Sequence, residues 1–119
     1  MKRIEYTPKA CQSTDERPAT FQGKVVLKVP TLPERYELLE KIGLEFDANG
    51  VVKVEKGAFS ILRILITESK KYYETVDLTK LSDGSRFASF DELVSDPDCD
   101  EIVNEIANEI KGGFKPSKK

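Results

Sequence analysis

The last third of the chain constrains the fold most, because Ser89 to Gly113 spells out where two helices start and stop. Ser89-Phe90-Asp91-Glu92 has the S-x-x-E spacing of a capping box. In that arrangement the serine hydroxyl accepts a backbone N–H one turn in, while the glutamate reaches back to the cap. This opens a short helix through Leu93 and Val94. Asp96-Pro97 opens a second, with aspartate at the cap and proline at the first helical position, where its missing N–H costs nothing. Ile102, Val103, Ile106, Ala107 and Ile110 then recur at helical spacing, Glu101, Asn104, Glu105 and Asn108 take the other side, and Gly112-Gly113 ends the helix. A chain with such a stripe must cover it, in its own core or on another protein.

The same grammar can be followed upstream. Lys24 to Val29 is short and rich in β-branched residues, and Pro30 ends it as a strand. Thr31-Leu32-Pro33-Glu34 is a second capping box. Leu32, Tyr36, Leu39 and Ile42, with Leu38 beside them, give its helix one apolar stripe facing a core, and Gly43 stops it. Leu44-Glu45-Phe46 and Val51 to Val54 flank Asp47-Ala48-Asn49-Gly50, whose Asn-Gly pair suits a hairpin turn.

From about Ala58 to Val76 the polar positions Ser60, Arg63, Thr67, Lys70, Lys71 and Glu74 recur at three- and four-residue steps. Phe59, Leu62, Ile66, Tyr73 and Val76 lie opposite, with Ile61, Leu65 and Tyr72 on the flank, so the pattern predicts a long central helix. Ser82-Asp83-Gly84-Ser85 is a turn. Residues 1–18, polar between Pro8 and Pro18, read as a flexible arm, and 114–119 as a disordered basic tail. The expected fold is therefore mainly α: about four helices with a small antiparallel β element near the N-terminal half, in one domain over 19–113.

Composition excludes more than it selects. With 119 residues the chain suits one domain with a modest core. Its 21 acidic and 19 basic residues leave a net charge of −2, no field for nucleic acid or an anionic membrane. No run approaches the roughly 20 apolar residues that span a bilayer, and a cytoplasmic protein is expected. There is no histidine, and Cys11 and Cys99 read as two unrelated thiols. Asp96, Asp98 and Asp100 mimic the opening of a calcium loop. However, Glu101 stands where that loop needs glycine and Ala107 where it needs glutamate. Asp91 and Glu92 sit in a helix first turn, where negative charge is favourable without any catalytic role. Gly84 and Gly112-Gly113 lack the strand-loop-helix setting of a phosphate cradle. The expectation is no enzyme, no metal and no cofactor, but protein binding. Its candidate surfaces are the stripe Ile102, Ile106 and Ile110 and the aromatic Tyr72.

Several blocks carry a family resemblance. Tyr6-Thr7-Pro8-Lys9 is followed by Pro18-Ala19-Thr20-Phe21 ahead of the strand. Lys28-Val29-Pro30-Thr31-Leu32-Pro33-Glu34-Arg35-Tyr36 opens a helix, and Phe90-Asp91-Glu92-Leu93-Val94 precedes an acidic helix closing on Gly112-Gly113. In this order, over most of its length, the chain resembles the small tail assembly chaperones of long-tailed bacteriophages, in their short form. The resemblance implies a mostly helical protein, encoded beside the tape measure protein and absent from the finished virion. Such a protein coats the tape measure protein, keeps it soluble and helps recruit tail tube subunits, and many have a longer, frameshifted form. The hairpin at Asn49-Gly50 departs from that pattern. The competing expectation is an acidic helical adaptor or inhibitor that docks on a cellular partner. Self-association is compatible with both.

Overall fold

In the computed structural model, which describes residues 2–42, 44–46, 52–54 and 58–112, ten elements follow in order. They are β1 (Arg3–Tyr6), β2 (Phe21–Lys28), α1 (Leu32–Lys41), β3 (Leu44–Phe46), β4 (Val52–Val54), α2 (Ala58–Ser69), β5 (Tyr73–Lys80), β6 (Arg86–Phe87), α3 (Phe90–Val94) and α4 (Asp100–Gly112). Short 3-10 turns at Lys9–Cys11, Lys70–Tyr72 and Pro97–Cys99 join some of them. Four strands make one antiparallel sheet in the order β1-β2-β5-β6, so the fold is α+β and the expectation of a mainly helical protein is corrected.

The main error lies in the predicted helix from Ala58 to Val76. It ends at Ser69, makes one 3-10 turn, and continues as β5, which pairs along β2 from Phe21↔Lys80 to Leu27↔Tyr73. From Tyr73 the residues alternate: Val76, Leu78 and Lys80 are buried while Thr75 and Asp77 are exposed. That period of two, in a β-branched and aromatic run, wins once β2 supplies hydrogen-bond partners. The arm expected over 1–18 is also corrected. Arg3–Tyr6 is the outer strand of the sheet, in register Arg3↔Lys28 to Tyr6↔Val25, and Pro8 and Ala10 are buried in the core. The β3–β4 hairpin forms with Leu44 opposite Val54. Its expected turn at Asn49-Gly50, the stop at Gly43 and the tail over 114–119 lie outside the described residues.

One position in β2 admits only glycine. Gly23 has φ +124°, and a Cβ there would lie 1.9 Å from the Asp77 carbonyl oxygen on β5. The close approach of the two central strands therefore requires a residue without a side chain.

The inner sheet face contributes Phe21, Val25, Leu27, Val76, Leu78 and Phe87 to a single hydrophobic cluster. The helices complete it with Leu38, Ile42, Leu65, Leu93 and the whole α4 stripe. The outer face is polar and self-neutralising: Arg3 pairs with Glu74, Lys24 with Glu5 at 2.8 Å, and Arg86 with Asp77 at 3.8 Å.

The Thr31 capping box forms as read, but the Ser89 box forms only by half, since Glu92 Oε1 accepts from the Ala88 N–H at 2.9 Å instead of from the cap residue's N–H. Glu34 N–H donates to Thr31 Oγ1 at 3.3 Å and Thr31 N–H to Glu34 Oε1 at 2.8 Å. Glu92 N–H donates to Ser89 Oγ at 3.2 Å. Asp96 caps the 3-10 turn ahead of α4 rather than α4 itself. The expected α1 stripe divides, because Leu38 and Ile42 are buried but Leu32 and Tyr36 are 53% and 62% exposed.

Candidate functional site, an acidic shoulder around a buried lysine

Between Ala88 and Ile110 the sequence has eight carboxylates and no lysine or arginine. The overall balance of −2 conceals this segregation. In the fold these residues occupy α3, the 3-10 turn and α4: Asp91, Glu92, Asp96 and Asp100 border the hollows at Pro97, while Glu101, Glu105 and Glu109 face Lys9 and Arg17 on another side of α4.

The turn after β5 brings a cation to them. Lys80 ends the strand on its buried side, in phase with Val76 and Leu78. The chain then reverses tightly: Gly84 N–H donates to the Lys80 carbonyl at 2.8 Å and Lys80 N–H to the Ser85 carbonyl at 2.7 Å. Gly84 adopts φ +76° to do so. The Lys80 ammonium is left 2.6 Å from Asp96 Oδ2, 3.1 Å from Asp98 Oδ2 and 3.9 Å from Asp83 Oδ2. Asp96 also accepts from the Asp98 backbone N–H at 2.9 Å through Oδ1. Hydrogen bonds to Asp96 and Asp98 hold the Lys80 pKa above the ordinary ammonium range. The bond from Lys80 holds Asp96 below the ordinary carboxylate range. Two of the three aspartates that mimicked a calcium loop are thus engaged with a lysine and the backbone. Among the described residues no group of three or more His, Cys, Asp or Glu is placed to hold a metal ion.

Two hollows flank Asp96 and Pro97. The smaller, about 170 Å³, is walled by Ile66, Leu93, Val94, Pro97 and Val103, with Asp96 and Asp100 among its lining. The larger, about 470 Å³, is open and bordered by Arg86, Phe87, Asp91, Glu92 and Ser95. Val94 is 47% exposed beside the smaller one. Apolar walls with carboxylates at the edge suit a side chain that is apolar along its stem and accompanied by cationic neighbours.

Beneath the shoulder lies Cys99, fully buried, its thiol pushed up to about 11 by burial and then by the charge of Asp96. Cys11 is half-buried, and both thiols are free. On the far side of α4, Glu105 accepts from the Tyr6 hydroxyl and from Lys9 N–H at 3.1 Å, and Arg17 pairs with Glu101 at 3.3 Å. The polar side of α4 therefore secures the N-terminal segment.

The four residues expected to meet a partner lie elsewhere. Ile102, Ile106, Ile110 and Tyr72 are all in the chain's own core, which corrects their reading as an exposed surface. The reason is topological: α4 touches α1, α2 and α3, so no side of its stripe is left open. The Tyr72 hydroxyl has no hydrogen-bond partner, and burial pushes it up to about 12. The shoulder residues Val94, Asp96 and Pro97 were overlooked as a surface, although the base-free acidic run around them is visible in the sequence.

Compared with protein-family models, curated proteins and solved structures, the chain gives no match. No described helix is long and apolar enough to cross a membrane.

Proposed function

We propose that the protein is a tail assembly chaperone of a long-tailed bacteriophage. It binds the tape measure protein, keeps it soluble in the host cytoplasm, and helps recruit tail tube subunits. The observation that carries this reading is the ordered set of blocks from Tyr6-Thr7-Pro8-Lys9 to the acidic helix before Gly112-Gly113. The α+β architecture departs from the mostly helical fold that the resemblance implied, so the reading rests on these blocks and on surface chemistry. The surface supports it in kind. Exposed apolar side chains next to unbalanced carboxylates suit moderate, repeated contacts with a long amphipathic helix.

The same acidic run favours a second reading, an acidic adaptor or inhibitor of a cellular partner. A tape measure gene immediately downstream favours the first, and a toxin or enzyme gene in that place the second. The direct test is co-expression with the tape measure protein encoded beside it. The expected result is a soluble tape measure protein that co-purifies with this chain. The chaperone reading fails if the chain neither binds nor solubilises it where a known chaperone of another phage solubilises its own.

A further inference from the structure

The molecule carries three exposed apolar features among its described residues, Leu32 with Tyr36, Leu81, and Val94, and the electrostatic settings of the first and the last differ. Leu32 and Tyr36 project from the first turns of α1 among charges of both signs, Glu34, Arg35, Glu37 and Lys41. Val94 stands beside a hollow whose surroundings carry Asp91, Glu92, Asp96, Asp98 and Asp100. The cations near this group are Lys80, between Asp96 and Asp98, Lys70, 3.1 Å from Asp91, and Arg86, which borders the larger hollow and pairs with Asp77. Carboxylates remain in excess there. On the outer sheet face, by contrast, cross-strand pairs cancel the charge.

From this contrast we infer that the hollow between α2, α3 and α4 is a docking site for a basic amphipathic helix of a partner protein. One apolar side chain of that helix seats against Val94, Leu93 and Val103, and lysines or arginines flanking it in the next turns meet Asp98, Asp100 and Glu92. The hollow, about 170 Å³, has room for a leucine or phenylalanine side chain rather than for a whole small-molecule ligand. Its walls come from three helices, which suits a helical occupant anchored at i and i+3 or i+4. The sign of the partner follows from the excess carboxylate, which favours encounter with a cationic helix and opposes an acidic one. The inference rests on the chaperone reading only for the partner being helical. The surface chemistry stands apart from that reading.

The test uses the full chain, isotopically labelled, and a synthetic amphipathic helix of leucine and lysine. A twin with glutamate at every lysine position is the control. The leucine–lysine helix should shift the amide signals of Val94, Asp96, Asp100 and Val103. It should bind at least about tenfold more tightly than its glutamate twin, and weaken as salt is raised. Val94→Lys, which fills the mouth of the hollow and adds a repelling charge, should weaken it at least about tenfold. Val94→Ser, which only removes apolar contact, should weaken it about threefold. Val94 is half-exposed, so both variants should keep the fold.

Equal binding of the glutamate twin overturns the proposal. So do shifts confined to the outer sheet face or to α1, and unchanged affinity in a folded Val94→Lys protein. A chain that holds the peptide at the hollow yet leaves the tape measure protein insoluble refutes the chaperone reading alone. One that solubilises it while ignoring the peptide refutes the docking site alone.

Discussion

Helices α1 and α4 carry apolar residues at the same spacing, yet their fates differ. In α4, Ile102, Val103, Ile106, Ala107 and Ile110 are all buried. In α1 only Leu38 is buried, with Ile42 just past its end, while Leu32 and Tyr36 stand in solvent. Periodicity therefore tells that a helix has an apolar side, and only topology tells what covers it. α4 is enclosed by three helices and lies on the sheet's cluster. α1 meets the core through Leu38 and the half-buried Leu39, and from its first turn Arg35 donates to the Lys111 carbonyl near the end of α4. That bond satisfies one of the last carbonyls of a helix with a cation, as a C-terminus favours.

The contrast can be broken most sharply by placing charge on each stripe. Ile106→Glu puts an unpaired carboxylate in a fully buried site and should cost several kcal/mol, on the order of the whole stability of the domain. Tyr36→Glu should stay within about 0.5 kcal/mol of the native protein. Denaturant unfolding followed by circular dichroism separates them, and a folded Ile106→Glu protein would return the α4 stripe to the list of surfaces.

A gentler version truncates one leucine within α1. Leu38→Ala should cost about 2–4 kcal/mol through lost burial and the cavity left behind, and Leu32→Ala less than about 1 kcal/mol. Equal losses would mean that Leu32 is covered in solution. Smaller again is the cap: Thr31→Ala removes the acceptor for Glu34 N–H and should cost about 1 kcal/mol, read as a lower unfolding midpoint with an unchanged slope.

The mildest probe is acid. Glu34 is held below the ordinary carboxylate range by the Thr31 backbone N–H, and Asp96 by Lys80. A depressed folded pKa contributes stability that is fully present above the unfolded value, about 4, and is lost as pH falls through the folded one. Protection of the amides against exchange, relative to their intrinsic rates, should therefore fall below about pH 4 at the start of α1 and in the turn before α4, and change little between pH 5 and 7. Rates that rise instead on going from pH 5 to 7, beyond the intrinsic trend, would contradict the assigned shifts.

These contrasts also explain how much of the molecule can be read from residues alone. Helix starts are local chemistry, a hydroxyl and a carboxylate three residues apart, so Thr31-x-x-Glu34 and Ser89-x-x-Glu92 are legible without a fold. β5 is not legible in this way. Tyr72, Tyr73 and Val76 continue a helical spacing begun at Leu62, and only pairing with β2, some fifty positions away in the chain, makes the period-two reading the stable one. β1 and β6, four and two residues long, lack a pattern of their own and exist through their partners. The candidate surface was hidden differently, since its acidic run is plain in the sequence but averages away against the basic first thirty residues.

The grip of Glu105 on Tyr6 and Lys9 joins positions 99 and 96 residues apart. During synthesis β1 emerges from the ribosome well before this carboxylate does. Such distant closure slows folding and defers it until α4 has been made. Until α4 is released from the exit tunnel, β1 has its place beside β2 but not its anchor. The nascent protein therefore passes through a stage with one unsecured sheet edge, when edge-to-edge association is most favoured.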